Sequence, residues 1–329
     1  MWEQTWVLPV EGFVLGVEDV LPAGVALSAD GSELVATVAG VDLDLSLAAM
    51  CPACIPLDGS TAPKPAFSYT TATTTSLPAD LVSASLSGGE LALRLAHSLS
   101  FDPLRPASDP AAERGFLIVE ITSGSAVVAR DSISGDDVAF DASTVLQPIL
   151  LIRTVEATGA VEIEVMIHSP AGDSTQVDTA DTLGLRLFPS TVTLSQATVQ
   201  AGAIAVNALA AEMDLSGFDS VLVARVQRGA LRLDVTNPFG IEGTVDLVFD
   251  FGGTAIRKSM ALASGPSTIT VAFTGTELRD MLAAGSVAVS AQGTLAAPDG
   301  TMTVRPTDAL VMESMVELVI LVGGGEGGT

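Results

Sequence analysis

Apolar and polar residues alternate at a period of two through most of this chain, and that restricts its fold more than any other feature. "VDLDLSL" (residues 41–47) puts Val41, Leu43, Leu45 and Leu47 on one face and Asp42, Asp44 and Ser46 on the other. "VEIEVMI" (161–167) repeats the pattern with Glu162 and Glu164, and "TVDLVF", "STITVAF" and "SVAVSAQG" continue it. Strands with one wet face belong to antiparallel sheets, and two such sheets stack into a sandwich. Turn signals separate them at Ala29-Asp30-Gly31, Ser87-Gly88-Gly89, Pro170-Ala171-Gly172-Asp173 and Pro298-Asp299-Gly300. Helical periodicity is confined to "GTELRDMLAA" (275–284), read as a turn or two crossing between sheets. The expectation is an all-β chain of tandem antiparallel Greek-key, Ig-like β-sandwich domains behind an N-terminal strand-rich segment.

The pattern is also duplicated. Ala92-Leu93-Arg94-Leu95 matches Ala230-Leu231-Arg232-Leu233, and Phe101 and Phe239 follow at equal distance. Gly159-Ala160-Val161 matches Gly285-Ser286-Val287, Pro170-Ala171-Gly172 matches Pro298-Asp299-Gly300, and Asp181-Thr182-Leu183 matches Asp308-Ala309-Leu310. Landmarks in one order argue for two copies of a single all-β unit, at residues 80–200 and 218–322. Residues 201–217 are read as a linker and "GGGEGGT" (323–329) as a flexible tail. The first 79 residues are read as a hairpin module ending in "STAPKPAFSYTTATTTSLP", a loose Thr- and Pro-rich linker. The alternative is that their strands complete a sheet of the first copy.

Within the second copy, Thr236-Asn237-Pro238-Phe239-Gly240 interrupts "ALRLDVT" before "IEGTVDLVF". Pro238 cannot donate to a ladder and Gly240 accepts a positive φ, so the strand must stop, turn and change sheet, with Phe239 filling the corner. With "FGGTAI", "STITVAFTGTEL" and "GSVAVSAQGTL", this stretch resembles the LEA type 2 or WHy domain family. The resemblance implies a seven-stranded Greek-key sandwich, no catalytic site, and an extracytoplasmic or stress-protective role in bacteria. It is best in residues 218–322; the first copy lacks the Asn-Pro.

The formal net charge is −25, and Lys64 and Lys258 are the sole lysines. Such a field repels phosphate backbones and anionic lipid, which argues against nucleic-acid and membrane-surface partners. A mean hydropathy of +0.51 with 16% charged residues excludes disorder throughout. The longest uncharged stretch, residues 190–211, carries Gln196, Gln200 and Asn207 and is too polar for a spanning helix. The opening "MWEQTW" has neither a basic nor an apolar leader region, and the reading adopted is a secreted protein without its leader.

Few residues carry chemistry. Cys51-Pro-Ala-Cys54 lies among strands rather than at a helix start, so a local disulfide is expected and a redox motif is not. Zinc would need two further ligands, and His97 and His168 are the two histidines. Both are read as ordinary strand residues. Carboxylates pair at Asp42/Asp44, Asp136/Asp137 and Asp178/Asp181. A glycosidase would need a cleft lined by aromatics, and one Tyr and two Trp are few. "SGDDVAFD" could hold calcium through Asp136, Asp137 and Asp141, the one cofactor considered, against the plainer reading of a solvated acidic loop. Edges complete the inventory. "TWVLPV" and "MVELVILV" are apolar strand formers in a chain nearly without lysine, the residue that commonly guards edges. Either these runs are internal to the sandwiches, or they pair with neighbouring subunits; in the second case Trp2, Trp6, Val316, Leu318 and Ile320 are the candidates for strand exchange. The functional expectation is a non-enzymatic, extracytoplasmic structural or interaction protein of a bacterial-type cell surface, with self or an envelope protein as partner. A binding module for a small apolar or glycan ligand is the alternative.

Overall fold

A computed structural model describes residues 2–322, with the backbone alone at 207–210; the Gly-rich segment 323–329 lies outside the described residues. In chain order the strands are β1 (Trp2–Gly16), β2 (Val25–Leu27), β3 (Leu34–Val38), β4 (Val41–Ser46), β5 (Thr61–Pro63), β6 (Phe67–Ser76), β7 (Leu81–His97) and β8 (Phe116–Ser123). Next come β9 (Ala126–Ser134), β10 (Ile149–Leu151), β11 (Val155–Thr158), β12 (Ala160–Ser169), β13 (Ser174–Gln176), β14 (Thr182–Leu187) and β15 (Ser190–Gln200). The remainder are β16 (Ile204–Asp214), β17 (Val226–Thr236), β18 (Glu242–Phe251), β19 (Thr254–Leu262), β20 (Ser267–Thr274), β21 (Ser286–Ala296), β22 (Thr301–Val304) and β23 (Ala309–Val322). Helices are short: α1 (Leu47–Met50), α2 (Ser220–Ala224) and α3 (Gly275–Ala284). The chain is all-β, as its alternation requires.

Two compact units emerge. An inserted unit runs from Pro22 to Thr198, and a split unit joins Met1–Leu21 to Val199–Thr329. In the split unit one sheet has the order β1-β23-β17-β20 and the other β16-β21-β18-β19. In the inserted unit, β3, β15 and β7 lie side by side with β11 on the far side of β7, and the second sheet is β6-β12-β8-β9. Numbered by position along the chain, the sheets of both units read 1-8-3-6 and 2-7-4-5. That is the double Greek key of the eight-stranded jelly roll. The count is eight strands, one more than the LEA-like resemblance implied.

Two of the duplicated landmarks fall on equivalent strands, the Ala-Leu-Arg-Leu pair on β7 and β17 and the Gly-x-Val pair at the starts of β12 and β21; the Asp-x-Leu pair does not, since it lies at β14, outside the eight, and at β23, the eighth strand. Domain boundaries depart from the sequence reading. Residues 1–79 form no separate module, because β1 pairs along its length with β23 while β3 pairs with β15 and β4 with β14. Residues 201–217 are no linker either, since β16 is a full strand against β21. Ser87-Gly88-Gly89 is not a turn: β7 runs through it, and Gly89 at φ +124 marks where its partner changes from β11 to β10.

Alternation becomes burial directly. Val161, Ile163, Val165 and Ile167 of β12 are at most 5% exposed, each worth about 1.5–3 kcal/mol of transfer free energy, while Glu162 faces water. The 237–240 corner behaves as its residues dictate. β17 stops at Thr236, Gly240 takes φ +66, Phe239 is buried, and β18 resumes in the opposite sheet. The Asn237 amide donates to the carbonyls of Ile241 (2.7 Å) and Ala263 (2.9 Å), tying the corner to the loop between β19 and β20.

Candidate functional site

Cys51 and Cys54 form a disulfide, S–S 2.05 Å, and both are buried. The Ser46 hydroxyl caps α1, accepting from the Ala49 amide at 3.3 Å, and α1 delivers Cys51 into the turn at Pro52–Leu57. This is a staple of the inserted unit, as the sequence indicated.

The acidic loop after β9 holds its carboxylates apart. Asp141 accepts from the Ser143 amide and hydroxyl and from the Thr144 hydroxyl, which hold its carboxyl below the usual range. The Asp136 amide donates to the Ser134 hydroxyl, and the Asp136 carbonyl accepts from Arg105. Among the described residues no three acids, histidines or cysteines converge on a point, so Asp136, Asp137 and Asp141 do not make a calcium cage here.

Of the strand-exchange residues, three are corrected. Val316, Leu318 and Ile320 are buried in the split unit, because β23 is an interior strand paired with β1 on one side and β17 on the other. β1 is a true sheet edge, with Trp2 59% exposed and Trp6 against Phe218 at 6.3 Å. That edge is guarded. Pro9 lacks a donor, the register shifts between Val10 and Phe13, and Glu3 pairs with Arg228 at 2.8 Å.

Other edges carry guards of the same kind. β4 has Asp42 and Asp44, β19 has Arg257 and Lys258, and β9 has Arg130, Asp131 and a bulge. β16 also bulges and carries Glu212 and Asp214. β6 has none of these. "FSYTTATTTS" contains no charge, Pro or Gly, and pairs with β12 in unbroken register over ten residues, from Phe67↔Ser169 to Ser76↔Ala160. Its other side has no strand among the described residues. Thr and Tyr suit a pleated, half-buried surface, which is why so polar a run is a strand and not the loose linker expected from composition. β20 is also uncharged, but it is shorter, and its last amide, at Thr274, is taken by Glu277 in the capping box of α3.

Two polar clusters beside β6 escaped the sequence reading. His168 lies directly across from Ser68, whose hydroxyl is 2.8 Å from Nδ1, and Glu113 reaches Nε2 at 3.4 Å with Phe116 stacked on the ring. The trio lies on the outer face of the sheet. Lys64 is 1% exposed, and its Nζ donates to the Ser169 hydroxyl at 2.6 Å and to the Pro170 carbonyl, over the rings of Phe67 and Phe101. Burial without a carboxylate partner lowers its pKa to about 7. His97 is likewise buried; its Nε2 meets the Phe140 carbonyl at 2.8 Å, and burial lowers its pKa. Among the described residues, an apolar gap within the inserted unit measures about 20 Å³ and one under α3 in the split unit about 10 Å³, each near the size of a single water.

The fold defines a class, all-β proteins with two jelly-roll units, here one inserted within the sequence of the other. No protein-family model matches the sequence, and no curated protein matches it. Among solved structures, the chain is similar to a protein from Parabacteroides distasonis described as secreted, at 11% identity over 98% of this chain and 100% of that one, TM-score 0.31. It is similar to N-glycanase F at 8% identity over 85% and 95% of the two chains, TM-score 0.23. The tandem CBM22 domain from Paenibacillus barcinonensis follows at 8% identity over 85% and 98%, TM-score 0.21. The assignment to the class rests on the strand order and not on these likenesses. Among the described residues no helix is long and apolar enough to cross a membrane.

Proposed function

We propose that this chain works outside the cytoplasm as a non-catalytic interaction protein, a component of a cell surface or secreted assembly that receives extended partner segments at a sheet edge. The observation that carries the reading is the unguarded ten-residue edge of β6 beside edges bearing Pro, bulges or charges. A free edge presents alternating N–H and C=O groups, and an added strand satisfies them in register. The formed Cys51–Cys54 bond supports an oxidising compartment. An apolar ligand held within either jelly roll draws no support from gaps of about 20 and 10 Å³.

Amide hydrogen exchange on the intact chain, mixed with a panel of nine-residue extended Thr/Val peptides of varied charge, tests this. Protection is expected along residues 67–76 and not along the guarded strands β9 and β19. Thr73→Lys, which places an inward charge on the edge, should abolish that protection while leaving the Tm within a few degrees. If no peptide protects β6, the proposal fails.

A further inference from the structure

Resting on that reading, we infer that the partner segment is cationic, with an Arg or Lys seated opposite Ala72. Rows of side chains cross the outer face of the β6-β12-β8-β9 sheet. In one row Ala72 stands beside Glu164, Glu164 beside Glu120, and Glu120 beside Arg130. Arg130 is bound to Glu120 at 2.9 Å. Glu164 is thus flanked by a methyl group on one side and by an already paired carboxylate on the other. Like charges directly across a ladder repel, so the row lacks one cation.

The next row repeats the deficit, with Glu162 between Thr74 and Thr122. Among the described residues no cation lies within ion-pair distance of Glu162 or Glu164. The missing charge has room to come from one direction. A strand added to β6 would lie about 10 Å from β12, two strand spacings. An Arg opposite Ala72 can cross that short side chain and meet Glu164 over it. Its neighbours opposite Thr70 and Thr74 would meet hydroxyls.

A second copy of the chain is the poorer occupant. Two molecules each carrying −25 repel, and pairing β6 with β6 would join two Glu-bearing outer faces without supplying a cation to either. A cationic segment gains from the same field, and its affinity should fall with salt.

Fluorescence anisotropy on the intact chain decides it, using a labelled nine-residue Thr/Val peptide with a central Arg and its Gln counterpart. The Arg peptide is expected to bind at least tenfold more tightly in 50 mM salt. The ratio should shrink in 500 mM salt and collapse toward one in Glu164→Gln, whose folding is checked by its unchanged Tm. Ala72→Arg, which supplies the cation from within, should lose the Arg preference as well. Equal binding of both peptides to the unaltered chain would overturn this inference and leave the edge reading standing. Binding of neither would remove both. A concentration-dependent dimer that excludes the peptide would assign the edge to a second copy and overturn the inference too.

Discussion

Lys64 illustrates how much one residue can impose. Its ammonium is enclosed by two rings, a hydroxyl and a carbonyl, with no counter-charge, and its pKa falls to about 7 from 10.5. Because the folded value lies below the unfolded one, unfolding takes up a proton between those two pH values, and stability must rise with pH across that window. Below pH 7 both states hold the proton and the burial cost is fully present. At about 1.4 kcal/mol per unit of displacement the effect is on the order of a few kcal/mol. Urea unfolding at pH 6, 7, 8.5 and 10 should show the rise, and Lys64→Met should flatten it while being at least as stable at pH 6. With one other lysine and one tyrosine in the chain, little else titrates there. None of this was legible in "APKPAF": the two prolines flanking Lys64 read as linker, and the Ser169 and Pro170 atoms that receive the ammonium lie more than a hundred residues away.

At the scale of elements, the disulfide and the edges behave differently under substitution. Closing a four-residue loop stabilises by about 2 kcal/mol through chain entropy. Replacing Cys51 and Cys54 together by Ala should therefore lower the urea midpoint of the inserted unit by roughly 1 M, with the split unit unchanged. Exchange-resolved unfolding separates the two. Local spacing made this bond readable, since four residues hold the whole motif. Edges are harder. "TWVLPV" and "MVELVILV" look alike as apolar alternation, yet one is an edge and the other is paired on both sides. Pro9 was the available signal, because a residue without N–H belongs on an outer strand. For β6 the signal was β-branching in a polar run, which composition alone assigns to a linker.

Across the whole molecule, the two units share one strand order, and a buried Leu stands in the Ala-Leu-Arg-Leu run of each, at Leu93 and Leu231. The division into units was not visible, because ladder pairing leaves no trace at the distance separating Trp2 from its partner Val322. β1 contributes Phe13 and Leu15 to the split unit although the inserted unit follows it in sequence. A chain beginning at residue 17 should therefore lose the cooperative melting of the split unit in calorimetry while the inserted unit keeps its own transition. A synthetic peptide of residues 2–16 added in trans should restore it; two intact transitions without the peptide would contradict the assignment. The same pairing bears on synthesis. β1 is made about three hundred residues before its mate β23 and has no ladder partner until then. A chain that stops short of β23 leaves β1 with no strand to dock against, and its apolar alternation exposed.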